Sequence, residues 1–403
     1  MTLANGPEFV LIPGPSILPD RVLNAMHRAA MDIYSGPMLE VTDDCQRGLK
    51  HVFGTQSDTY IYAANGHGAW EAALTNVFSR GDRILVLESG RFAVGWGEMG
   101  AKLGLEVEVL PTDWGSAIDM GKVEERLRRD PEQSISGILA VQVDTASGVA
   151  NDIAALRAAI DAAGHGALLL IDAMASLGTM PFDFDGWRVD VALAGSQKGL
   201  MSPAGLGFTA VSPNAKAAHR TAGLRTPYWD WTARDGKVHY QKYCGTPPEQ
   251  LLFGLQEALK MIFEEGLPSI YHRHAALGSA TRAAIDVWQE AGATFNVDDP
   301  ADRSNSVSVF RFEGERARNI IAFCAHHCGV TVGSGIGHRA EETIRIGHMG
   351  HINPPTILGC LGSIDMALSA MGERLSQSGV GAASLALGAF AREPAAMAAD
   401  GRF

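Results

Sequence analysis

The sequence predicts an α/β protein built on a parallel sheet covered on both faces, followed by a smaller α+β unit. Three observations carry that prediction. Four continuous aliphatic runs, Ile84–Glu88, Ile138–Val143, Ala167–Asp172 and Val189–Gly195, recur between residues 55 and 215. Strands buried on both faces read as unbroken aliphatic runs of this kind. Amphipathic stretches such as Glu98–Leu103 and Ala154–Ala163 separate them, as right-handed crossovers between parallel strands require. After residue 260 the texture changes to alternating strands and long helices.

Taken in order, residues 1–19 form an N-terminal arm, 20–259 the large domain and 260–403 the small C-terminal domain. Asn65-Gly66-His67-Gly68-Ala69-Trp70 turns into a helical run that ends near Phe78. Residues 213–248 are polar, aromatic and rich in turn formers, so they read as a surface excursion. Glu249–Glu265 and Ile270–Ala291 read as helices, divided by Gly266-Leu267-Pro268. Then follow an alternating strand Val307–Phe312, a helix Glu315–His327, short strands Val330–Val332 and Thr343–Ile346, and a long helix Ile357–Leu375. The Ala-rich stretch 379–390 is apolar enough to pack.

Composition narrows the function classes. With 403 residues and a formal charge of −12, the surface repels phosphate backbones, so no nucleic-acid partner is expected. Five scattered cysteines read as reduced thiols, and no membrane span is expected because no uninterrupted apolar stretch approaches roughly 18 residues. The N-terminus has no basic and apolar leader pattern, and Gly401-Arg402-Phe403 is not a peroxisomal address, so a cytoplasmic protein is expected.

In an open parallel sheet the ligand lies beyond the strand C-termini. Asp172 and Ser196-Gln197-Lys198 directly follow two of the aliphatic runs and therefore share that edge. Lys198 is either a solvated surface charge or an amine desolvated among small residues, with a lowered pKa and a lone pair free for Schiff-base chemistry. Asp172 is either a helix cap or a buried anion that keeps a heteroaromatic nitrogen protonated. Gly66 and His67 open a helix whose free N–H groups and dipole favour a phosphate, although a tight turn explains the glycines equally. Gly333-Ser334-Gly335-Ile336-Gly337 lacks dinucleotide-binding spacing. Cys324-Ala325-His326-His327-Cys328 has no second ligand pair, so no metal is expected, and no G-x-S-x-G elbow marks a serine hydrolase.

The lysine and the aspartate, with AGSQKGLMSPAGLG (194–207), Pro13-Gly14-Pro15, ANGHGAWEAALTN, DTASGV, GTPP, FEEGL, YHRHAALG and Arg345-Ile346-Gly347-His348-Met349-Gly350, resemble the class V pyridoxal-phosphate aminotransferases over nearly the whole chain. The similarity is to their serine–glyoxylate and alanine–glyoxylate group. It implies fold type I, with a mostly parallel seven-stranded sheet, and pyridoxal 5'-phosphate held covalently by Lys198. It further implies that Asp172 pairs with the ring nitrogen, and that Gly66, His67 and Gln197 cradle the phosphate. Phe92 stacks on the ring, Thr145 bonds its phenolic oxygen, and Arg345 forks onto the substrate carboxylate. Tyr243 and Thr246 reach the phosphate of a neighbouring copy, which implies a homodimer.

The implied reaction moves an amino group from an L-amino acid to glyoxylate. Serine is the expected donor, with aspartate or alanine as alternatives, and a lyase of the cysteine desulfurase type as another reading of the superfamily. Relatives carry His-Arg-Ser where Ile33-Tyr34-Ser35 stands here, so that arginine is lost. Arg339 is either a contact for a second substrate carboxylate, admitting aspartate, or an exposed loop cation near Glu341 and Glu342.

Overall fold

A computed structural model of the chain describes residues 2–392; the C-terminal tripeptide lies outside them. Eight strands precede residue 212: β1 (Phe9–Leu11), β2 (Asp58–Ala63), β3 (Arg83–Leu87), β4 (Glu106–Leu110), β5 (Ile135–Val141), β6 (Leu168–Asp172), β7 (Val191–Gly195) and β8 (Leu206–Val211). Seven of them form one sheet in the order β2-β8-β7-β6-β5-β3-β4. The neighbours from β7 through β4 run parallel, whereas β8 is antiparallel to both β7 and β2. The expected mostly parallel sheet is therefore present. Its central strands β6 and β7 carry almost wholly buried side chains, the physical reason their sequence is aliphatic without alternation.

Four later strands, β9 (Thr294–Phe295), β10 (Val307–Arg311), β11 (Val330–Ser334) and β12 (Thr343–Gly347), join β1 in a second sheet ordered β1-β11-β12-β10-β9. Within the segment read as an arm, Phe9–Leu11 thus pairs in parallel with Val330–Val332. One apolar core gathers residues from Met38 to Ile270, and another gathers Leu11 with residues from Leu277 to Ala383. The helix Gly379–Phe390 packs on the helix Leu267–Trp288, so the Ala-rich stretch does pack. Among the described residues, no helix is long and apolar enough to cross a membrane.

One expectation is corrected. Residues 213–248 are not a plain surface excursion, because Trp231, Arg234 and Tyr243 are buried. Trp231 stacks on Tyr60 with ring centroids 5.6 Å apart and donates Nε1–H to the Tyr62 hydroxyl at 2.8 Å. The Arg234 guanidinium has carbonyl partners in place of water: Ile61, Lys242 and Tyr228 oxygens accept from it. Burial of a polar group is tolerated when its hydrogen bonds are replaced, which residue composition alone does not reveal. Helix boundaries also shift. Arg316–Phe323 ends in a widened turn, Cys324–Cys328, closed by Gly329 in the left-handed region.

Candidate active site

At the C-terminal edge of the large sheet lies a cavity of about 300 Å³ whose lining includes Gly66, His67, Phe92, Thr145, Asp172, Gln197 and Lys198. Seven residues expected from sequence to serve one site thus meet at one place. Local structure accounts for each position. Asp172 ends β6, and Lys198 stands three residues after β7. The helix Gly66–Val77 points its start into the cavity, capped by Asn65, whose Oδ1 accepts from His67 N–H (3.1 Å) and Gly68 N–H (3.3 Å). Asn65 therefore holds the His67 amide expected to meet a phosphate, and the Gly66 amide is the first of the helix outside that cap.

Lys198 is enclosed by the chain's own beginning. Its Nζ donates to Pro13 O, Ser16 Oγ donates to Lys198 O at 2.8 Å, and Ser16 N–H donates to Gln197 O at 2.8 Å. Gly14, at φ +99°, leaves no space for a Cβ, which would sit 2.5 Å from Lys198 Nζ. Pro13-Gly14-Pro15 is thus the lid of the lysine. Burial, with help from the nearby Arg345 charge, lowers the Lys198 pKa to about 8, against the opposing pull of Asp172 and Asp144.

Asp172 is 2% exposed. Its Oδ2 accepts from Trp70 Nε1–H at 2.6 Å and its Oδ1 from the Met174 N–H at 2.6 Å. Burial nevertheless pushes its pKa up to about 6, because two neutral donors do not replace the lost solvation of a carboxylate. His67 packs its ring on Trp70 at 4.5 Å, and burial first, then the Arg91 charge, lowers its pKa. Gln197 Oε1 is buried without a hydrogen-bond partner.

Arg345, on β12, is 8% exposed and does not itself line the cavity. Its Nε–H donates to Ser334 O at 2.6 Å and one Nη1–H to Thr145 O at 3.0 Å. Two carbonyls therefore fix the plane of the guanidinium, and its Nη1/Nη2 end keeps donors for a carboxylate. Burial brings its pKa down to about 10, with Asp144 acting the other way.

Three expected residues lie elsewhere. Tyr243 is buried beside a separate small cavity, its hydroxyl bonded to Thr42 Oγ1 at 2.8 Å. Thr246 is exposed. Arg339 is also exposed and pairs with Glu342 at 2.6 Å, so its geometry is that of the loop cation. None of the five cysteines lines the cavity. Burial raises the Cys324 thiol to about 12 and pushes Cys360 and Cys45 further up, away from the thiolate a lyase of the desulfurase type uses.

Sequence reasoning missed two polar members of the site, Trp70 and Asp144. Trp70 lies one helical turn after Gly66, within a stretch already singled out, so helical periodicity was the signal available. Asp144 follows β5 at the same strand-end edge as Asp172, and the placement rule applied to Asp172 covers it equally.

Comparison with known proteins shows the family. The chain is 40% identical over 387 residues to a serine–glyoxylate aminotransferase of Methylorubrum extorquens, covering 94% of this chain and 96% of the relative. It is 36% identical over 379 residues to an L-aspartate–glyoxylate aminotransferase of Paracoccus denitrificans, covering 93% and 94%. The crystal structure of a ureidoglycine–glyoxylate aminotransferase from Bacillus subtilis shares the fold, with a TM-score of 0.86 at 21% identity over 95% of this chain and 99% of that one. The family model described as aminotransferase class-V matches residues 11–351, and with it the chain belongs to the class V aminotransferases and is a transaminase.

Proposed function

We propose that this transaminase uses pyridoxal 5'-phosphate to move the amino group of L-serine to glyoxylate, giving glycine and a 2-oxo acid, in the cytoplasm and as a homodimer. Aspartate and alanine stand as alternative donors. The observation that carries the reading is the pairing of a desolvated amine, Lys198, with a buried carboxylate, Asp172, across one cavity. The relatives named for serine and aspartate donors supply the substrate class.

The residues present fit the cofactor. Asp172 is a buried anion whose charge is disfavoured by its desolvation, as suits a partner that brings a cationic N–H. Gly14 and Gly66 are places where a Cβ would meet Lys198 and Met174, so the walls of the cavity carry no side chain there. When bound, the cofactor supplies a conjugated electron sink for negative charge developing at the donor Cα.

The chain supplies the rest. Lys198 Nζ would hold the cofactor and, once released from it, would take up the proton from the donor Cα and give it up again, serving as both base and acid. Asp172 keeps the ring nitrogen protonated, with Trp70 and the Met174 amide fixing its orientation. Gly66, His67 and Gln197 receive the phosphate, Phe92 and Thr145 hold the ring and its phenolic oxygen, and Arg345 grips the donor carboxylate. Thr246 is exposed outside its own chain's cavity, which leaves it open to contact the phosphate of a second copy. Tyr243 has to exchange its bond to Thr42 for the same contact.

The test is a half-reaction screen: yellow holoenzyme is mixed with single amino acids, and conversion to the aminated cofactor is timed by absorbance. Serine is expected to convert fastest, and a protein that takes up no cofactor, or converts with none of the donors, removes the reading. Arg345→Ala is expected to lower kcat/KM for the donor by about 10- to 150-fold, through loss of charge-assisted bonds of about 1.5–3 kcal/mol, while the cofactor spectrum persists. Steady-state kinetics of the loaded variant checks this. Cofactor capture by the apoprotein is expected to quicken as pH rises and to level off above the Lys198 pKa of about 8, since only the neutral amine attacks. Stopped-flow absorbance between pH 6.5 and 9.5 reads it, and a flat profile contradicts it.

A further inference from the structure

Asp144 is the fourth charged group of the site, and nothing above gives it work. Its backbone is pinned on both sides: its own N–H donates to Val149 O at 3.2 Å, and Gly148 N–H donates to Asp144 O at 2.8 Å. Its carboxylate collects three backbone donors from two elements. Oδ2 accepts from Phe92 N–H (2.8 Å) and Ala93 N–H (3.1 Å), and Oδ1 accepts from Ala146 N–H (2.9 Å).

Phe92 and Ala93 open the helix Arg91–Leu103, whose N-cap residue Gly90 has no side chain to bond them. Asp144 therefore caps this helix from another element, satisfying amides that the helix itself leaves open. The fit is close, because a Cβ at Gly90 runs into the Asp144 carboxyl group. One residue on, Thr145 O receives the Arg345 guanidinium.

A single carboxylate thus joins two walls of the cavity, the Phe92 ring and the Thr145 turn, and the turn in turn holds Arg345. Its charge is also felt by Arg345, Lys198 and Asp172. We propose that Asp144 is a positioning residue for the donor carboxylate, holding the Phe92 wall and the Arg345 guanidinium in one fixed geometry. The proposal rests on the roles given above to Phe92 and Arg345.

Asp144→Asn tests it, since asparagine keeps the volume but has one oxygen to meet donors that approach both. In the folded, cofactor-loaded variant, KM for serine is expected to rise about 10-fold while kcat changes less than about threefold, because the carboxylate is gripped in ground and transition states alike. The visible circular dichroism band of the bound cofactor is expected to change as the Phe92 wall shifts, a readout apart from turnover. A loaded variant with unchanged KM and unchanged dichroism overturns the proposal, even if its melting temperature falls, because that marks a purely structural residue.

Should Asp144→Asn fail to fold, Gly90→Ala keeps the charge but displaces the carboxyl group, and the same KM increase is expected. Unchanged KM there overturns the proposal too. A wild-type protein that takes up no cofactor removes the functional reading itself, whereas an active wild type with kinetically silent variants removes only the role of Asp144.

Discussion

Lys198→Ala is expected to lower kcat by about 10⁴-fold or more, the upper range of what a positioned acid–base contributes, while cofactor still binds. Among the described residues Lys198 is the only amine lining the cavity, so no neighbouring side chain is expected to inherit its proton transfer. Its lowered pKa, about 8, leaves a substantial neutral fraction near pH 7.5, which suits a base that must both take and return a proton. The variant retains Asp172, Gln197 and the Gly66 helix start, and these are expected to keep the cofactor at micromolar concentrations. The residue's removal also leaves a gap under Pro13 and Gly14, so small primary amines are expected to restore part of the rate, more so as their basicity increases. Single-turnover kinetics with and without added methylamine checks this. A variant that turns over within tenfold of wild type contradicts the assignment.

The second large effect is expected at Asp172. On the proposed role, Asp172→Asn would break a buried ion pair with the ring nitrogen, and such losses cost about 3–5 kcal/mol, roughly 100- to 5,000-fold in rate. Asparagine also cannot accept from both Trp70 and the Met174 amide as the carboxylate does. The pH dependence has a definite sign. Burial raises the Asp172 pKa to about 6, so below pH 6 the carboxyl is largely protonated and offers no charge to a cationic partner. Binding that partner favours the ionised form, so cofactor affinity is expected to increase as pH rises through about 6 and to lose this component in Asp172→Asn. The cofactor phosphate titrates in the same range, and the comparison between wild type and variant cancels it. Equilibrium titration of apoprotein by fluorescence at pH 5 to 8 measures it. An identical pH profile for both proteins contradicts the role.

The parts legible in the sequence were those where one physical demand dominates. β3, β5, β6 and β7 are buried on both faces, so their aliphatic runs stood out. β4 escaped notice because it is an edge strand with an alternating, half-exposed pattern, EVEVL. β8 is buried at all its positions but does not stand out, because Gly207 and Thr209 interrupt its apolar run, and its antiparallel direction is set by long-range pairing with β7 and β2. Site residues at strand ends, Asp172 and Lys198, were placed by topology alone. Asp144 obeys the same topology, yet its importance comes from two backbone amides of a distant helix start, beside one of its own turn, and that long-range pairing is displayed by no residue pattern. The buried Arg234 is hidden for a similar reason, since its partners are main-chain carbonyls.

The pairing of β1 with β11 has a consequence for synthesis on the ribosome. The partner of Phe9–Leu11, Val330–Val332, is made some 320 residues after it. At about 5–20 residues per second, the first strand waits roughly 15–65 s for its place. Until then Pro13 and Ser16 have no anchored position from which to close over the nascent lysine loop. The Lys198 amine is thus expected to stay open to water, and to stray aldehydes, while the roughly 130 residues between it and β11 are made, and the large sheet on its own is a scaffold on which the first strand has yet to dock.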